Sequence, residues 1–309
     1  MTNLLKNIFT IQGEECERLD KMLSKKFPAH SRSYFQHLIE NEAVLLNGKI
    51  AKKRISPKPH DTIEVTFQKP EELDLTPESI PLDILYEDDD LICVNKPAGM
   101  VVHPAPGHPT GTFVHALLYH CQNLELPGED FRPGIVHRLD KDTSGVLIAA
   151  KSLKAHQKLI EQFKGREIEK EYLAITIGHP TEQTINAPIG RSPIRRQEMA
   201  ISEKGKEAIT CITPLQKGEH FSLVLAKLIT GRTHQIRVHL KHNQTPILGD
   251  RVYGSTKLNE KFEVPRQLLH AYRMKLFHPL TNEILILSAP LPDDMKNLSE
   301  KIFIQPIQY

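Results

Sequence analysis

Apolar residues recur along this chain with two spacings, one helical and one of period two, and the alternation between them outlines the elements. CERLDKMLSKKF, from residue 16, places Leu19, Met22, Leu23 and Phe27 on one helical face. SRSYFQHLIENE repeats the pattern with Phe35, Leu38 and Ile39, and Ser31 stands where a helix cap belongs. AVLLNGKIA reads as a hairpin turning on Asn47 and Gly48, and TIEVTF alternates Ile63, Val65 and Phe67 as a half-buried strand. Together these predict a small α/β module within residues 1–70. Residues 71–81 are acidic and punctuated by proline, which predicts a linker.

A larger body is predicted over 82–309. DILYEDDDLICVNKP gives two short strands about an acidic turn, and HPAPGHPTGT (103–112) is a loop whose Thr112 can cap a helix through FVHALLYH. VLIAA (146–150) reads as a buried strand. SLKAHQKLIEQF (152–163) reads as a helix with Leu153, Leu159, Ile160 and Phe163 inward. Strands follow at 171–177, 209–215, 221–229 and 283–289, with a helix over 233–242 capped by Thr233. Strands outnumber helices and several are consecutive. The predicted class is therefore α+β, with a mixed, mainly antiparallel sheet rather than a doubly wound parallel one.

A chain of 309 residues buries a full core and has room for more than one domain. No apolar run reaches the roughly 18 residues of a membrane span. The start, MTNLLKNIFTIQGEE, lacks an apolar core and a cleavage site, so a cytoplasmic location is expected. Cys16, Cys93, Cys121 and Cys211 are far apart with no CxxC, which argues against a disulfide framework or zinc site. Net charge is only +2, but it is unevenly placed. Residues 1–70 hold twelve Lys and Arg against eight acids, 71–92 hold nine acids and no base, and 93–309 hold 28 bases against 21 acids. Two basic bodies flanking an acidic connector suit a polyanion, and they equally suit ordinary surface charge.

Three segments carry candidate chemistry. RPGIVHRLDKDTSG (132–145) sets Asp140 and Asp142 among Arg132, His137, Arg138 and Lys141, directly before the buried strand. If it runs extended, Val136, Arg138 and Asp140 share a side, so one carboxylate can stand in a cleft; a salt-bridged turn fits the pattern too. TGRTHQIRVHLKH puts His234, Arg237 and Lys241 on one helical face, able to hold a carboxylate ionised or simply to be solvated. His234, His239 and His242 lack an HExxH arrangement or a carboxylate partner, so no metal site is indicated. In REIEKEYLAI, Tyr172 can pack in a core or stack on a base. No GxSxG, GxxxxGK[ST] or GxGxxG occurs, so no nucleotide cofactor is indicated.

Taken together, NKPAGMVVHP (95–104), RPGIVHRLDKDTSG, KEYLA (170–174), APIGR (187–191), TGRTHQIRVHL (230–240), PILGDRVYG (246–254) and LLHAYRMKLFHP (268–279) resemble the pseudouridine synthases of the large-subunit-rRNA type. Residues 16–65 resemble the RNA-binding module of ribosomal protein S-four. The resemblance implies a catalytic domain with a central active-site cleft, ribosomal RNA as partner, no cofactor, no metal, no membrane and action as a monomer. It implies Asp140 as catalytic carboxylate, Tyr172 as the aromatic on the target uracil and Arg237 as the partner of the aspartate. Arg138 is implied to fill the RNA stack where the flipped base had been, with His137, Arg232 and His234 as further RNA contacts. Affinity would come from Lys25, Lys26, Arg32, Lys49, Lys52, Lys53 and Arg54 of the first module. The same chemistry on tRNA or another rRNA site, a non-catalytic ribosome-assembly factor, and a glycosidase using Asp140 with Asp142 are the rival readings.

Overall fold

The computed structural model describes residues 5–13, 17–28, 30, 32–52, 54–67, 75–105, 107–121, 124, 133–195 and 198–303, without the side chain of Ser33. The expected roles of Cys16, Ser31, Lys53 and Arg132, and part of the 71–81 stretch, lie outside the described residues. The chain divides into two compact units, one before residue 75 and one after it.

The smaller unit runs β1 (Lys6–Thr10), α1 (Leu19–Lys26), α2 (Arg32–Glu40), β2 (Val44–Leu46), β3 (Lys49–Ile50) and β4 (Thr62–Thr66). Its antiparallel sheet has the order β1-β4-β2-β3. The hairpin turns on Asn47 and Gly48 at φ of +52° and +74°, the left-handed pair that a two-residue turn requires. Leu19, Leu23, Phe35, Leu38, Ile63 and Val65 form its core. β1 carries no alternating signal in the sequence because four of its five residues are exposed.

The larger unit begins with β5 (Ile84–Glu87), β6 (Leu91–Lys96), α3 (Phe113–His120), β7 (Ser144–Ala150), α4 (Leu153–Gly165) and β8 (Glu169–Ile177). It continues through β9 (Gln183–Asn186), β10 (Ile189–Arg191), β11 (Met199–Ile201), β12 (Ile209–Lys217), β13 (Phe221–Leu228), α5 (Gln235–His242) and α6 (Thr256–Lys261). β14 (Leu269–Phe277), β15 (Ile284–Ser288) and α7 (Asp293–Ile302) complete it. A nine-stranded sheet has the order β5-β6-β7-β14-β8-β13-β12-β9, with β15 paired to β14. Among the described strands only the β7–β14 pairing is parallel. The α+β, mainly antiparallel class expected from the sequence is the observed one. Both faces of the sheet are covered. Tyr172 and Ala174 of β8 enter one apolar cluster and Leu173 and Ile175 another.

Three details depart from the sequence pattern. α4 is rolled about its axis, so Leu153 and Ile160 are 38% and 43% exposed while Ala155, His156, Leu159 and Gln162 face the sheet. Gln162 accounts for the roll, since its amide donates to the Phe277 carbonyl and accepts from the Phe277 N–H, ending β14. α5 is capped by His234 at φ +56° rather than by Thr233. The described part of the acidic stretch is held rather than loose, with Glu78 bonding the His115 carbonyl and the Gly111 N–H.

Candidate active site

Asp140 enters on a loop, not a strand. Ile135 bridges Ala149 of β7, and residues 137–140 then run free of the sheet. Leu139 is buried in the core and pins the loop. His137 turns inward as well. Its Nε2 accepts from the Ile148 N–H at 3.0 Å, and its ring stacks on Phe163 at 4.9 Å. Burial, aided by the charge of Lys170, pushes the imidazole pKa down to about 3, which keeps the ring neutral and able to accept. The Thr143 N–H donates to the Asp140 carbonyl at 3.1 Å and closes the turn. Lys96, fully buried, donates to the carbonyls of Pro97, Met100 and Lys141 at 2.7, 2.9 and 3.0 Å, tying the neighbouring loop to this turn. Burial lowers its pKa to about 7 against the opposing pull of Asp142.

α5 supplies the cation. Arg237 donates from Nη1 to Oδ2 of Asp140 at 2.8 Å, and from Nε and Nη2 to the two oxygens of Asp250 at 2.7 and 3.0 Å. It thus faces inward rather than joining Lys241 on a solvated face. Burial opposes its charge, but Asp250 and Asp140 outweigh that and hold its pKa above the ordinary value. Asp250, whose side chain is wholly buried, also accepts from the N–H groups of Val252 and Tyr253, each at 2.9 Å. The Arg237 guanidinium lies 5.1 Å from the Tyr253 ring centre, a cation–π contact.

Tyr253 extends this network. Its hydroxyl accepts from the Met199 N–H and meets His234 Nδ1, both at 2.9 Å. The other ring nitrogen of His234, Nε2, lies 3.9 Å from Asp140 Oδ2. Burial lowers the His234 pKa, partly offset by Asp140.

One segment anchors both aspartate loops. Gly145, at φ +109°, lies so close to the Ala271 carbonyl that a Cβ would collide with it. Gly249, at φ +84°, stands in the same relation to the Arg266 carbonyl. Arg266 also donates to the Asp142 carbonyl at 3.0 Å, and the Leu268 N–H donates to the Leu248 carbonyl at 2.9 Å.

These groups open onto a cleft of about 540 Å³ lined by Asp140, Tyr172, Arg237, Arg138, His137, Arg232 and His234. Such a volume is that of a small-molecule-sized site. Tyr172 forms part of its wall and is 7% exposed. Burial raises the phenol pKa and the charge of Asp140 raises it further, so the ring is neutral. Arg138 is exposed, with no hydrogen-bond or ion-pair partner among the described residues. Arg232 donates from Nε to the Glu207 carbonyl at 2.9 Å. His239 does not reach the cleft: its two ring nitrogens are taken by Thr210 and the Ala187 carbonyl.

The remaining candidates belong to the smaller unit. Arg32 donates to Asp20 at 2.9 Å, Lys25 pairs with Glu17 at 2.7 Å, and Lys26 sits 4.4 Å over the Phe9 ring. Lys49, Lys52 and Arg54 are exposed with no ion-pair partner among the described residues. Sequence reasoning assigned no role to Asp250, Tyr253 or Lys96. Asp250 and Tyr253 lie inside the quoted PILGDRVYG and Lys96 inside NKPAG, but nothing in their spacing says which side chains turn inward.

A model described as RNA pseudouridylate synthase matches residues 90–242, and one described as S4 domain matches 17–63. An uncharacterized RNA pseudouridine synthase of Bacillus subtilis is 42% identical, covering 96% of this chain and 97% of the relative. Ribosomal large subunit pseudouridine synthase D of Escherichia coli is 40% identical, with 92% and 90% covered. The solved structure of human RNA pseudouridylate synthase domain containing 1 is 27% identical, with a TM-score of 0.60 over 78% of this chain and 94% of that one. With a carboxylate, a clamped guanidinium and a tyrosine sharing one cleft, and relatives of such identity along nearly its whole length, the chain belongs to the RNA pseudouridine synthase family.

Proposed function

We propose that this enzyme isomerises uridines of large-subunit ribosomal RNA, with Asp140 as its catalytic carboxylate, residues 1–70 as RNA-binding module, 71–81 as connector and 82–309 as catalytic domain. The observation that carries the assignment is the Asp140–Arg237 pair at 2.8 Å beside Tyr172 in the cleft. The substrate class rests on the similarity to enzymes named as large-subunit synthases.

The reaction breaks the bond from ribose carbon 1′ to base nitrogen 1 and rejoins the sugar to carbon 5. It loses no group and changes no oxidation state. What it needs is a carboxylate at the sugar, as nucleophile at carbon 1′ or as base at the 2′ proton. Arg237 aims that carboxylate through its 2.8 Å contact, and its planar fork suits the task better than a lysine. Tyr172 offers a neutral face on which a uracil can turn. Extruding a nucleotide costs a few kcal/mol, and Arg138, without a hydrogen-bond or ion-pair partner among the described residues, can refill the gap. Lys49, Lys52 and Arg54 add phosphate attraction that carries no sequence information. Cys93, Cys121 and Cys211 are unpaired, which fits the cytoplasm.

The test is Asp140→Asn, read by carbodiimide mapping of rRNA from cells that carry the wild type, the variant or neither. Single-turnover rates should fall at least about 100-fold, as for loss of a positioned acid–base group, with RNA affinity within several-fold. Near-normal turnover by the variant overturns the assignment of Asp140. Unchanged rRNA with altered tRNA overturns the substrate class.

A further inference from the structure

Besides Arg138, Arg232 and Arg237, the cleft is lined by a buried lysine, Lys170. It lies two residues before Tyr172 on β8, so both side chains leave the same face of the strand. Both line the cleft. Lys170 is only 8% exposed and has no hydrogen-bond or ion-pair partner among the described residues. Its nearest ring is Phe163, 5.7 Å from the ammonium. Its strand neighbours in register are Leu228 of β13 and Met274 of β14, both apolar. The other titratable groups lining the cleft are the neutral His137, Arg138 and Asp140 on one loop, Tyr172 on its own strand, Lys164 and Arg166 at the end of α4, and Arg232, His234 and Arg237. A buried lysine without a counter-ion is costly unless a ligand supplies the missing charge. Desolvation lowers its pKa, as that cost requires.

The proposed reaction creates such a charge. When the bond between carbon 1′ and nitrogen 1 breaks, the electron pair leaves with the base, giving a uracil anion spread over nitrogen 1 and the two carbonyl oxygens. This holds whether Asp140 bonds to carbon 1′ or removes the 2′ proton. After the base turns, carbon 5 bonds to carbon 1′, carbon 5 gives up its proton and nitrogen 1 takes one. In the first route the carboxylate departs with its electrons; in the second, the 2′ proton returns. A base whose sugar stands at Asp140 and whose face lies on Tyr172 extends along β8 toward residue 170, about 7 Å from residue 172 at the usual strand rise.

We propose that the Lys170 ammonium receives the anionic uracil oxygen after glycosidic cleavage and is a catalytic residue of this site. A positive charge placed where negative charge develops stabilises that charge. The proposal rests on the reading of Asp140 given above.

The test uses the full chain, an unmodified large-subunit rRNA transcript carrying tritium at uracil carbon 5, and single-turnover release of that tritium. Lys170→Met is expected to lower the rate at saturating enzyme at least about 10-fold while RNA affinity and its salt slope stay within 3-fold of wild type. Lys170→Arg keeps the charge and should recover much of the rate. It should also move upward the alkaline pH at which the rate falls, because guanidinium does not deprotonate there. A normal rate for Lys170→Met overturns the proposal, as does lost affinity with an unchanged saturated rate, which marks a phosphate contact. If the Met variant does not fold, an alkaline limb unmoved in Lys170→Arg overturns it. Asp140→Asn, inactive on the same transcript, separates failure of this inference from failure of the assignment beneath it.

Discussion

Two sets of cations, one in each unit, are held in opposite ways. In the larger, Arg237 is buried and shared between two carboxylates. In the smaller, Lys49, Lys52 and Arg54 stand in solvent without ion-pair partners among the described residues. A guanidinium neutralised by two acids attracts little from a distance. What it supplies is a fixed geometry. Solvated lysines fix nothing but draw phosphates across a Debye length of roughly 8–10 Å. The comparison teaches that catalytic rate and RNA affinity should be separable residue by residue, even though both depend on positive charge.

The sharpest challenge to that separation is Asp250→Ala. It strands Arg237 with half its pairing, and breaking a buried ion pair this way costs about 3–5 kcal/mol. Urea unfolding of the larger unit should report that loss; a variant of wild-type stability would mean that the clamp is dispensable. Arg237→Lys comes next. Turnover should drop on the order of 10- to 100-fold through loss of the forked contact, with affinity little changed, because one charge remains. Equal losses in rate and affinity would erase the distinction drawn between the two units. Replacing Lys49, Lys52 and Arg54 together by alanine should leave the saturated rate intact and lower the slope of log affinity against log salt by about 2 to 3. An unchanged slope would remove the smaller unit from RNA attraction.

The mildest effect is on acid stability. His137 is neutral when folded, with its pKa down at about 3 against an ordinary 6.5. The unfolded chain therefore takes up a proton that the folded chain refuses. The contribution of His137 is complete above pH 6.5 and is lost as pH falls from there toward 3. The slope is at most about 1.4 kcal/mol per pH unit, less as solvent screens the ring. His137→Gln, which keeps an acceptor for the Ile148 N–H, should flatten stability in that window.

How much of this was legible depended on where information resides. The alternation of TIEVTF and the Asn47–Gly48 turn specify a hairpin locally, and the apolar run after Asp140 gave a strand for the same reason. β14, in the middle of the large sheet, gave no clean period because a bulge between Ala271 and Arg273 breaks its alternation. α4 was read as a helix with its inward face partly misplaced: Leu159 is buried and Phe163 packs on the core, but Leu153 and Ile160 are exposed, and Gln162 is spent on a distant strand end that no local pattern reveals. In the site, the family resemblance carried by HRLDKDTSG, KEYLA and TGRTHQIRVHL implied Asp140, Tyr172 and Arg237. That Asp250 grips the far side of the guanidinium is a fact of tertiary distance, invisible in spacing.

Gly145 and Gly249 press against opposite ends of one short stretch, residues 266–271. The loops carrying Asp140 and Asp250 are far apart in sequence, yet each is set against the same gauge. A thermal shift of that stretch should carry both acids together and preserve the gap that Arg237 spans, whereas a methyl group at either glycine would wedge one jaw away from the other. Precision at Asp140 is thus inherited from a backbone segment outside its own loop.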